Sequence, residues 1–149
     1  YQLDDSRILI ASGYGMGGAL LDIQREGDQW SAEQIWKTTR LKAKFNEVVV
    51  KDDYVYGLDE GVLTCLDLKT GKRMWKAGRY GYGHILLVDD KLVITETGEV
   101  LLIPAQPEKP TPIARFQAIE GKTWNHPTLV RGRLFVRNAR EAACYDISK

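Results

Sequence analysis

Leu63-Thr64-Cys65-Leu66-Asp67-Leu68-Lys69-Thr70-Gly71-Lys72-Arg73-Met74-Trp75-Lys76 is the stretch that decides the fold. An apolar run comes first, then a polar segment closed by Thr-Gly, then a second run that carries a tryptophan. This order reads as strand, tight turn, strand. Gly71 is suited to the positive φ that such a turn demands.

The same order returns on both sides. Upstream, Leu20-Leu21-Asp22 precedes Trp36; downstream, Leu101-Leu102-Ile103-Pro104 precedes Phe116, and Ala143-Cys144-Tyr145-Asp146 comes near the end. Ahead of each lies a hairpin signal of short apolar runs around an Asp or Gly turn. The turn anchors are Asp5, Asp53, Asp90 and Gly132. Third strands are expected at 19–23, 62–68, 100–103 and 142–147, and fourth strands at 35–37, 74–76 and 114–116. No segment of ten or more residues keeps a helical apolar period. Residues 31–37 are the best helical candidate, but their place in the repeat makes them a long loop leading into a fourth strand. Residues 25–30 then form an elongated connection. Residues 104–112, with four prolines, form a stiff one.

Short strands recurring at roughly 40 residues predict an all-β chain, a β-propeller of four-stranded antiparallel blades. A lone blade cannot bury both of its faces, whereas stacked blades can. About three and a half blades are present, as a partial propeller in a single domain with units at roughly 1–38, 39–77, 78–117 and 118–149. The last unit lacks its outer strand. A closed ring takes about four to eight blades. The remaining blades are therefore expected from a longer polypeptide, of which this is the C-terminal part, or from further copies of the chain.

The 21 basic and 20 acidic residues are well mixed, for a net charge of +1. That excludes the basic stripe of a nucleic-acid binder. No apolar run is long enough to span a membrane as a helix. Cys65 and Cys144 hold the same place in units two blades apart, so they are expected to be small buried core residues and not a disulfide.

With these residues in view, the chain resembles the β-propeller family named for the pyrroloquinoline quinone (PQQ) repeat. The hallmark is an apolar-x-Ala-Leu-Asp strand, then x-x-Thr-Gly-Lys, then an apolar residue and Trp. Residues 63–75 match it, with Cys65 in place of Ala; the other units match in part. The resemblance implies that the Trp packs between blades. It also implies two functional classes. Quinoprotein dehydrogenases hold PQQ and a metal with an adjacent cysteine pair, a stacking Trp, and carboxylate and amide ligands. This chain has no such pair, so those residues are not carried over, and no cofactor is expected. Many other members are cofactor-free propellers, periplasmic or extracellular, that act as binding or assembly scaffolds.

The loops that lead into innermost strands, and those joining second to third strands, open on one face of a propeller. Asn46, His84 and His126 each lie four residues before a valine of an innermost strand and are expected to ring one channel mouth. Tyr82, Trp124, Arg137 and Arg140 lie in neighbouring loops. The histidines serve backbone groups at the strand starts, or the set binds a small ligand or carbohydrate, since aromatic faces stack on sugars and Arg grips carboxylates. Gly13-Tyr14-Gly15-Met16-Gly17-Gly18 satisfies G-x-G-x-x-G, but a strand follows it where a dinucleotide site needs a helix. No nucleophile motif appears. The expected function is a non-catalytic binding or protein-interaction scaffold. The alternatives are a quinoprotein-type oxidoreductase with its catalytic residues on other blades, or a carbohydrate-binding or carbohydrate-acting propeller.

Overall fold

The computed structural model describes residues 1–148. Its strands form four antiparallel sheets that follow one another in chain order. The first holds β1 (Arg7–Ser12), β2 (Gly17–Glu26) and β3 (Gln29–Thr38). The second holds β4 (Val49–Lys51), β5 (Tyr54–Asp59), β6 (Val62–Asp67) and β7 (Arg73–Arg79). The third holds β8 (His84–Val88), β9 (Lys91–Glu96), β10 (Glu99–Pro104) and β11 (Ala114–Gln117), and the fourth β12 (Thr128–Val130), β13 (Arg133–Arg137) and β14 (Ala142–Asp146). Each sheet is a blade, and the whole is an open partial propeller. In blade 1 the innermost position is held by Gln2, which bridges Ile8 of β1.

One hydrogen bond shows that the units are true repeats. The N–H groups of Ile23, Leu68, Ala105 and Ile147 donate to the carbonyls of Ser6, Asp53, Asp90 and Gly132, at 2.8, 2.8, 2.9 and 2.7 Å. The anchor of the first unit is thus Ser6, not Asp5. Its turn is held by Asp4, whose carboxylate accepts the N–H groups of Ser6 and Arg7.

The cores lie between blades. Leu9, Leu20 and Trp36 of blade 1 meet Val55, Leu66 and Leu68 of blade 2. Tyr56, Leu58, Leu63, Cys65 and Trp75 of blade 2 meet Ile85, Leu92, Ile94, Leu101 and Ile103 of blade 3. Val93 and Val100 of blade 3 meet Leu134 and Val136 of blade 4. Along β5, Val55 faces one seam and Tyr56 the other, as the two-residue period of a strand requires. Both faces of an inner blade are buried, so its strands read as continuous apolar runs.

The hallmark residues hold the seams. Trp36 donates Nε1–H to Leu68 O of the next blade at 2.8 Å, and Trp75 to Gln106 O at 3.1 Å. The Trp36 ring lies on Gly71, which has φ +67°; a Cβ there would come within 2.7 Å of the ring. Asp67 Oδ1 accepts the N–H and the hydroxyl of Thr70, at 2.8 and 2.6 Å. Those bonds from Thr70 hold the Asp67 carboxyl below its ordinary value. Phe116 takes the third tryptophan position and packs edge-on against Tyr145.

Two expectations are corrected. Residues 25–34 are not a connection and a loop leading into the strand expected at 35–37. β2 and β3 are ten residues each, joined by a two-residue turn at Gly27-Asp28. This hairpin projects past the sheet, with Arg25 over the Trp30 ring. Cys144 is exposed, whereas Cys65 is buried. Both stand two residues before the Asp of their unit, but Cys65 faces blade 3, and no described blade follows blade 4. For the same reason Ile8 and Ile10 at one end and Phe135 at the other are exposed.

Candidate functional site

Alternating strand directions bring the second-to-third-strand loops and the blade-to-blade connections to one face. The connection 39–48 is the best anchored of them. Leu41 and Ala43 are buried in the first seam. Gly57 leaves the room for Leu41, since a Cβ there would lie 2.6 Å from a Leu41 methyl. Asp59, 2% exposed, accepts the Lys42 N–H at 3.0 Å and Lys76 Nζ at 2.6 Å. Burial alone would raise the Asp59 carboxyl. The hydrogen bonds from Lys76 and from the Lys42 backbone outweigh burial and bring it below its ordinary value.

This frame displays aromatic side chains. Tyr14 and Phe45 are 75% and 68% exposed, and their rings meet edge to face at 6.3 Å. Both have left-handed backbones, with φ of 55° and 60°. An aromatic residue rarely sits there, and such strain clusters at functional sites. Lys44 Nζ lies between three rings, 4.7 Å from the centroid of Tyr14, 5.6 Å from Phe45 and 5.1 Å from Tyr82. It makes no ion pair among the described residues. Met16, 59% exposed, belongs to the same loop as Tyr14.

The structure brings His84 and His126 together, with ring centroids 5.3 Å apart. Both ring nitrogens of His126 are engaged, Nδ1 by Pro127 O at 2.7 Å and Nε2 by Glu47 at 3.1 Å. His84 Nε2 lies 2.9 Å from Trp124 O, while its buried Nδ1 has no partner. A carbonyl only accepts, so the proton is on Nε2 and Nδ1 is a bare acceptor. Burial pushes the His84 pKa down, which keeps the ring neutral. Phe45, Tyr82, His84 and Trp124 line one cleft of about 220 Å³. A smaller recess of about 80 Å³ adjoins it, bordered by Tyr82, Glu96, Lys122 and Trp124.

The other expected residues lie apart. Asn46 lines a different recess, with Tyr1, Leu9 and Ile10, and neither of its amide atoms has a partner. Arg137 and Arg140 are exposed, and neither guanidinium hydrogen-bonds among the described residues. Their loop is held by Asn138, which donates to Glu120 O and accepts from the N–H groups of Arg140 and Glu141. Sequence reasoning did not single out Tyr14 and Phe45. The available signal was an aromatic residue inside a glycine run, and another between Lys44 and Asn46.

Cys65 is buried in β6 and Cys144 stands on the edge strand β14, so no adjacent pair exists. Trp36 and Trp75 are committed to seams. No three His, Cys, Asp or Glu side chains among the described residues are grouped to hold a metal. No described helix is long and apolar enough to cross a membrane.

No curated protein matches the chain. Among solved structures, BamB from Moraxella catarrhalis superposes with a TM-score of 0.59 at 17% identity, covering 99% of this chain and 49% of that one. The computationally designed Ika8 protein superposes with a TM-score of 0.52 at 8% identity, covering 91% and 53%. The chain thus spans about half the length of each. A PQQ-repeat family profile, described as outer membrane protein assembly factor BamB, matches residues 2–77. The match takes in the hallmark strand, turn and tryptophan, and this chain belongs to that PQQ-repeat, BamB-type propeller family.

Proposed function

We propose that this chain is a non-catalytic docking scaffold for a protein partner in outer membrane protein assembly, acting on the periplasmic side. The observation that carries the reading is the pair Tyr14 and Phe45, in edge-to-face contact, exposed and left-handed on the mouth of the propeller. Exposed aromatics around a cation match the make-up of interface anchors, where aromatic side chains supply most of the binding energy. The family's description as an assembly factor gives the class of partner.

A photo-crosslinking residue at Phe45 of the full-length protein tests this in the living cell. Trp30, 67% exposed but on the projecting β2–β3 hairpin, is the control position. The expected result is one discrete adduct with an outer membrane assembly protein from position 45 and none from position 30. Equal adducts from both positions, or none from 45, would refute the docking face.

A further inference from the structure

The ladder of blade 3 departs from the repeat at one place. Asp22, Asp67 and Pro104 are equivalent, opposite Arg7, Tyr54 and Lys91. Two residues before them stand Leu20, Cys65 and Leu102, which pair on their other side with Trp36, Trp75 and Ala114. From this point two blades set an indole into the following seam, and the third sets a methyl group. Phe116, the aromatic of β11, stands two residues further along, opposite Val100.

The difference leaves a space. A cleft of about 540 Å³ lies between blades 3 and 4, lined by Val93, Val100, Leu102, Ala114, Phe116 and Leu134. That volume falls within the roughly 300–1,000 Å³ of small-molecule sites, which are lined mostly by apolar and aromatic side chains. Trp36 and Trp75 are 8% and 7% exposed, so the rings in the other two seams are almost wholly withdrawn from water. In the third seam Ala114 and Phe116 are exposed in front of buried Val93, Val100 and Leu134. Covering such a wall is favourable in proportion to the apolar area removed from water. A rigid flat ring system covers it with little loss of conformational freedom. Asp89 and Lys91 also border the cleft, one charge of each sign, so they select no net charge in a ligand.

We propose that this cleft binds an uncharged, fused two-ring aromatic molecule, in the place that a tryptophan side chain takes in the first two seams. Asp89 and Lys91 flank the β8–β9 turn, at the opposite end of the strands from the mouth. The site therefore shares no residue with the docking pair Tyr14 and Phe45, and either can be lost with the other intact.

The test is calorimetric titration of the full-length protein with indole, and with hexanoate as a flexible, charged comparison. Indole is expected to saturate one site, with hexanoate at least about tenfold weaker. Ala114→Trp restores the ring of the other seams and is expected to abolish indole binding. Ala114→Leu fills the cleft in part and is expected to weaken indole about tenfold. Ala114 is exposed, so a leucine there enters open space, and this variant carries the test if Ala114→Trp does not fold. The proposal is overturned if indole does not bind, or if it binds the Ala114 variants as tightly as the unaltered protein. It is also overturned if hexanoate binds as tightly as indole, which would make the cleft a general apolar groove.

Discussion

Gly71→Ala probes the contact that makes the hallmark turn a property of two blades. Alanine at φ +67° costs about 1–2 kcal/mol in backbone terms alone. The new Cβ would also lie 2.7 and 2.8 Å from Cε3 and Cδ2 of Trp36. That ring has little room to retreat, because it is 8% exposed and tied to Leu68 O through Nε1. Overpacking of this kind adds about 1–3 kcal/mol, for a total of roughly 2–5 kcal/mol. Gly27→Ala is the control, since Gly27 has φ +62° but nothing within 4 Å of a Cβ. It should show the backbone share alone. Urea unfolding with linear extrapolation measures both. In a Trp36→Ala background the Gly71→Ala penalty should fall to that of Gly27→Ala, a coupling that a double-mutant cycle isolates. The reasoning fails if Gly71→Ala costs no more than Gly27→Ala. It also fails if the penalty is unchanged without the Trp36 ring.

Two more outcomes follow from the charges and thiols. Asp59→Asn leaves Lys76 and Lys42 without their buried carboxylate and should cost about 1–3 kcal/mol at neutral pH. The folded Asp59 carboxyl lies below its ordinary value near 3.8, so its stabilisation is complete above that pH and is lost as pH falls through the folded value. Urea melts down an acid series should therefore converge for wild type and variant, and parallel curves would refute the linkage. Burial pushes the Cys65 thiol up to about 12, so a thiol-specific dye should label one site in the native protein. Cys144→Ser should abolish that labelling, and residual labelling would show that Cys65 is accessible.

Where one residue sets the geometry, the sequence was legible. Asp67, Thr70 and Gly71 name their own turn, and Trp75 marks the strand that faces the next blade. The pairings of Asp67, Pro104 and Asp146 with Tyr54, Lys91 and Arg133 agree with the repeat as read, and that of Asp22 with Arg7 agrees once the first anchor is moved to Ser6. The β2–β3 hairpin was misread because a projecting edge has no neighbour to impose alternation, and Ser31 to Lys37 then mimics a helix in polarity. Cys144 was misread because burial at its position comes from the following blade and not from its own strand. His84 and His126 share a place in the repeat, and their rings meet in the structure. The left-handed backbones of Tyr14 and Phe45 were not legible, since nothing in an aromatic side chain favours that conformation.

The tryptophan links run in one direction, from the outer strand of a blade to the chain just beyond the third strand of the next. Phe116 interrupts the series, because a phenyl ring has no N–H to give. The same joint holds the fewest core residues and a cleft of about 540 Å³ between Val93, Val100, Leu102 and Leu134. Mechanically the molecule is therefore two riveted joints followed by a loose one. Among the described joints, the one between blades 3 and 4 is expected to open first in dilute denaturant, while the mouth built by blades 1 to 3 keeps its shape.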